Sequence, residues 1–179
     1  MPDPKKTEHP GVINGIDVDA VQGLIETIKS DTGKGMTHWN VSSTWQEGTH
    51  SRAQVQSFEI GGAEIRRSFT IDIDEPAELG GANLHANPQE YLLAALNACM
   101  VVGYAALCSL NGIRLDKLEI TTEGEIDLRG FFGIEPHTSP GYDSLRTRVT
   151  IKGDGECQRS CRLNSVMIPP IDDAAVRAA

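Results

Sequence analysis

The sequence predicts an α+β fold in which antiparallel sheet wraps a long central helix. Three observations predict it: an uncharged helical segment over residues 87–112 with start and stop signals at its ends, alternating strand segments on both sides of it, and a shorter amphipathic helix near the N-terminus. With 179 residues, 39% of them hydrophobic, the chain has the size and composition of one globular domain with a small core.

Taken in order, residues 17–29 (DVDAVQGLIETIK) place Val18, Val21, Leu24, Ile25 and Ile28 on one helical face. The polar, glycine-bearing stretch SDTGKGMT follows. WNVSSTW (39–45), RAQVQSFEI (52–60) and RSFTIDI (67–73) then read as strands, and EGTHS and GGAEI between them supply the turns of an antiparallel meander. Beyond the central helix, LDKLEITTEGEIDLRG (115–130) and YDSLRTRVTIKG (142–153) read as two more strands, the second alternating through Leu145, Thr147, Val149 and Ile151. The loop FFGIEPHTSPG between them puts two phenylalanines in solvent unless a ligand or partner covers them. No internal repeat is visible.

The central helix carries its own boundaries. Asn87 suits the N-cap, Pro88 the first helical position, and Glu90 stands three residues after the cap as a capping box requires. Asn111-Gly112 supplies the stop. No charge lies between Tyr91 and Leu110, so the helix is apolar on every side and has to be covered on every side. Its length would also cross a bilayer, at about 20 residues. Five alanines, Asn97 and Gly103 dilute its hydrophobicity, however, and no basic flank immediately before it or second apolar stretch accompanies it, which favours a helix wrapped by sheet.

Charge and targeting signals narrow the partners. A formal net charge of −9 argues against nucleic acid and against anionic membrane, both of which need clustered Lys and Arg. The start, MPDPKKTEHPGV, lacks the apolar run of a signal peptide, and the expected location is the cytoplasm. There the four cysteines read as thiols rather than as a disulfide framework. Cys157 and Cys161 are separated by three residues with no histidine at ligand spacing, so neither a metal nor another cofactor is expected. The histidines, His9, His38, His50, His85 and His137, are scattered through loops and read as surface residues, with His50 and His85 flanking the candidate site.

Cys99, near the middle of the central helix, has two readings. It is inert filling, as buried cysteines commonly are, or it is a protected reaction centre whose thiolate needs a positive neighbour. Cys108, nine residues on, points to the opposite side of the helix and is expected in the core.

The run NPQEYLLAALNAC, followed by GIRLDKLEI and GYDSLRTRVTIKG, resembles the OsmC/Ohr family, and the resemblance covers about residues 37–153. It implies an OsmC-like fold: antiparallel sheets wrapped around long central helices in an intertwined homodimer. It also implies thiol-dependent reduction of organic hydroperoxides in oxidative-stress defence, with no cofactor and with an unidentified thiol reductant. The family's peroxidatic cysteine falls on Cys99, and its thiolate-assisting arginine falls on Arg52. On this reading residues 1–36 are an N-terminal helical extension, 37–153 the OsmC-like domain and 154–179 a divergent tail.

The chain departs from the peroxidase branches of that family in two places. Gln89, not an acid, follows Pro88; Glu90 comes one place later and lies on roughly the opposite helical face from Cys99, so it reads as a capping residue. Gln89 and Glu90 are the supporting candidates. The family's resolving cysteine sits beyond a further helix, whereas Cys157 and Cys161 come early in the tail; Cys161 is either a displaced resolving thiol or an incidental feature of a divergent terminus. These departures keep a second reading open, a dimeric binding module for an apolar small molecule with Cys99 lining its pocket and no turnover.

Overall fold

Asn14 and Gly15 both adopt positive φ, 53° and 78°, and turn the chain between β1 (Val12–Ile13) and β2 (Ile16–Asp17), which pair antiparallel. In the computed structural model residues 11–155 are described, and Cys157, Cys161 and His9 lie outside them. The elements that follow are α1 (Val18–Ser30), β3 (Thr37–Trp39), β4 (Ser42–Glu47), β5 (His50–Ile60), β6 (Ala63–Ile73), α2 (Pro88–Leu110), β7 (Leu115–Gly124), α3 (Leu128–Phe131) and β8 (Leu145–Gly153). The mixture of helix and antiparallel sheet is the α+β class that the sequence predicts.

The chain divides into two compact units. One spans 19–94 and holds most of α1, the four strands β3 to β6 and the start of α2. In it β5 is central. Its first half pairs with β4, its last residues pair with β3, and β6 runs along its other edge. Gly61 and Gly62, at φ 56° and 82°, make the two-residue turn between β5 and β6, a conformation that residues with a Cβ resist. A bulge between Val55 and Ser57 then shifts the register by one residue, so that Arg52 faces Asp72. On α1, Val18 is buried and Val21, Ile25 and Ile28 are half-buried as the periodicity predicts, whereas Leu24, at the edge of that stripe, is exposed.

The other unit comprises 1–18 and 95–179, with the β1–β2 hairpin, the rest of α2, and the antiparallel pair β7–β8. The hairpin is latched to the end of α2. Asn14 Nδ2 donates to Ser109 Oγ at 3.0 Å and to the Ile113 carbonyl at 2.9 Å, and its Oδ1 accepts from Leu115 N at 2.8 Å. The predicted strand over 115–130 ends at Gly124, because Asp127 accepts from Arg129 N and caps the short helix α3 instead. Phe131 and Phe132 are exposed, as the loop composition predicts, with their rings edge to face.

Among the described residues the buried apolar set is thin: Val18, Ala53 and Cys108. Leu92 and Val102 on α2 stand 54% and 67% exposed, so the single chain leaves much of this helix uncovered. By length and composition α2 could cross a membrane, and 11% of its apolar window is buried.

Candidate functional site

α2 is anchored at Asn97, and on the side that carries Cys99 several of its apolar residues are exposed. Asn97 Oδ1 accepts from Thr122 Oγ1 at 2.6 Å, and Thr122 bonds in turn to Thr147, its cross-strand partner, at 2.9 Å. This buried polar chain holds Asn97 against β7 and β8. Cys108 lies eleven residues further on, nearly in line with Asn97 along the helix, and is buried. Cys99 lies two residues after Asn97, about 200° round, and so points away from that anchor. It is exposed, and the exposed residues on its own face are Leu92, Ala95 and Val102. Neither Cys99 nor Cys108 is in a disulfide bond. The two thiols of α2 therefore differ in access because of helical phase.

The start of α2 has the predicted capping box. Asn87 Oδ1 accepts from Glu90 N, and Glu90 Oε2 accepts from Asn87 N, both at 2.8 Å. This commits Glu90 to the cap, while Gln89 beside it is exposed. Tyr91 Oη donates to the Asp72 carbonyl at 2.8 Å and fixes this end of the helix to the end of β6.

Arg52 belongs to a polar group at the same end of β6. Arg52 and Asp72 are opposite each other in the β5–β6 register, and Arg52 Nε donates to Asp72 Oδ1 at 2.8 Å. His50 is two residues before Arg52 on β5, hence on the same sheet face, and its Nε2 lies 3.0 Å from the same oxygen. These two bonds, the one from Arg52 first, hold the Asp72 carboxyl below the usual carboxylate range. The His85 ring stacks on that of His50, with centroids 5.4 Å apart. His50, Asp72 and His85 each offer a ligand atom within 4.8 Å of the others.

A second carboxylate sets the backbone around this group. Asp74, 2% exposed, accepts from Thr49 Oγ1 at 2.6 Å and from Glu75 N through Oδ1, and from Ala82 N and Leu84 N through Oδ2. Its own N–H donates to the Ala86 carbonyl. Thr49 immediately precedes His50, and Leu84 and Ala86 flank His85. These bonds, Thr49 foremost, lower the Asp74 pKa from 3.8 to about 2 against the opposing effect of burial. The loop can return so sharply because Gly81 packs on the Glu75 carbonyl where a Cβ would clash.

Of the residues predicted from sequence, Cys99 falls in one unit and Arg52, Gln89 and Glu90 in the other; Cys161 lies outside the described residues. From sequence, His50 and His85 are separate surface residues flanking the candidate site, and neither Asp72 nor Asp74 stands out. The alternation IDID at residues 71–74 is the one signal that points to them, since it places both carboxylates on one sheet face.

Residues 80–163 match the family model described as OsmC-like protein. Comparison with curated proteins gives no match.

Proposed function

Starting from a chain that is OsmC-like over residues 80–163, we propose that it reduces organic hydroperoxides through Cys99. One observation carries this reading: Cys99 is an exposed thiol in the middle of an apolar helical face, while Cys108 of the same helix is buried. An apolar face suits the organic part of a hydroperoxide, and a thiol is the nucleophile its O–O bond requires. The Cys99 thiolate attacks the distal peroxide oxygen; the S–O bond forms, the O–O bond breaks, and the departing alkoxide takes a proton to become an alcohol. A thiol reductant then attacks the sulfenic sulfur and releases water, and a second reducing thiol resolves the mixed disulfide and restores Cys99.

In this proposal Arg52 supplies positive charge that favours the thiolate. Its Nε is held by Asp72, while among the described residues its terminal nitrogens make no hydrogen bond. Gln89 offers an amide where the peroxidase branches have an acid. The cytoplasm, a reducing compartment, is the proposed location, and a second copy of the chain is the proposed cover for α2. The commitment of Glu90 to its cap favours a second reading, a binding module for an apolar small molecule without turnover.

Organic hydroperoxide followed by a sulfenic-acid trap and mass spectrometry separates the two. The expected result is a trapped adduct on Cys99 that is absent from Cys99→Ser. A Cys99–Cys161 bridge in its place would give Cys161 the resolving role. If Cys99 stays reduced, the peroxidase reading fails, and saturable binding of an apolar fluorophore becomes the measurement for the binding module.

A further inference from the structure

We propose that His50, Asp72 and His85 form a site for a zinc-class divalent transition-metal ion. Two imidazoles and one carboxylate are a donor set that suits zinc, cobalt, nickel or copper, whereas calcium and magnesium take oxygen ligands. All three residues belong to the unit spanning 19–94, and their ligand atoms lie within 4.8 Å of one another. An ion at bond lengths of about 2.0–2.2 Å needs its ligands closer together than that limit, and His85, exposed on its loop, has the freedom to swing inward. Three protein ligands leave a coordination position for water.

The backbone under the three ligands is held in advance. Asp74 accepts from Thr49, next to His50, and from Leu84, next to His85, so one buried carboxylate ties together the two segments that carry the imidazoles. The third ligand is fixed from two sides. Tyr91 Oη donates to the Asp72 carbonyl, and Arg52 Nε donates to Asp72 Oδ1, the oxygen that also lies 3.0 Å from His50 Nε2, so an ion would take the place of the His50–Asp72 hydrogen bond. Such outer contacts orient a ligand carboxylate. The Arg52 charge also works against a dication and limits the affinity. The proposal is independent of the chemistry assigned to Cys99.

The test uses the full chain, stripped of metal, with Cys99→Ser, Cys157→Ser and Cys161→Ser introduced to remove competing thiols. Zinc chloride titrated calorimetrically is expected to bind one ion per chain, and zinc is expected to shift the imidazole nitrogen resonances of His50 and His85. His85→Ala, a surface change that leaves the fold intact, is expected to weaken binding more than about tenfold, and His50→Ala likewise. His38→Ala and His137→Ala are expected to leave it unchanged. Equal zinc affinity in His85→Ala and the parent, or imidazole resonances unmoved by zinc, overturns the site.

Discussion

Asp74 shows how much one buried side chain can organise, since it accepts from Thr49 and from the backbone at residues 75, 82 and 84. Its pKa is about 2 in the folded chain, against an ordinary 3.8. The folded state thus prefers the ionised form. The resulting stability is fully present above pH about 4 and is lost as pH falls towards about 2. Asp74→Asn should lower the urea midpoint near neutral pH and flatten its decline between pH about 5 and about 2. Asp127, whose pKa is also lowered to about 2 but whose side chain is 38% exposed, is the control, and Asp127→Asn should change the neutral-pH midpoint less. An acid limb as steep in Asp74→Asn as in the parent would contradict the assignment. A thiol-selective reagent near neutral pH should modify Cys99 well before Cys108, because one is exposed and the other buried, and Arg52→Ala should slow the Cys99 reaction. Quenched-flow labelling read by mass spectrometry gives both rates; Cys108 reacting first would refute the order.

Elements are fastened here by short polar links. The β1–β2 hairpin contributes little apolar burial of its own, yet Asn14 makes three hydrogen bonds to the end of α2 and the chain beyond it. Its φ of 53° is a conformation asparagine tolerates better than alanine. Asn14→Ala should therefore cost about 2 kcal/mol or more through unpaired groups and backbone strain together. Asn14→Gly removes the strain but not the lost bonds, so it should recover part of that loss in denaturant melts. If the two variants match the parent, the latch contributes nothing. The periodicity of α1 and the cap of α2 were legible because both are local: one depends on residues three and four apart, the other on Asn87 and Glu90. The end of β7 was not, since the competing cap at Asp127 breaks a segment whose alternation continues past it.

At the scale of the whole molecule, the thin buried apolar set among the described residues and the exposed apolar residues of α2 point to the same prediction. A face that carries Leu92, Ala95, Cys99 and Val102 in the open favours association, and a second copy is the proposed partner. Sedimentation should give a dimer at micromolar concentration. Val102→Glu, which puts a charge on that face, should shift the population to monomer or to aggregate. A stable monomer of the parent chain would remove the dimer and with it the explanation for the exposed apolar face.

By itself the sequence determined the α+β class, the extent of α2 with its capping box, the resemblance that residues 80–163 bear out, and the placement of Cys99 and Cys108 on opposite sides of one helix. Each of these follows from a local period or a local motif. Only the tertiary structure decided what gathers around Arg52. The tight turn at Gly61-Gly62 taken alone would put Arg52 opposite Ile71, and the bulge between Val55 and Ser57 moves it opposite Asp72. A one-residue shift exchanges the two faces of a strand, and nothing in the alternation of either strand announces it. His85 joins from a loop whose course depends on four hydrogen bonds between Asp74 and residues 82–86 and 49, all of them distant in sequence or without a period of their own. The carboxylate, the guanidinium and the two imidazoles meet because of a register and a loop closure, and both are properties of the folded chain.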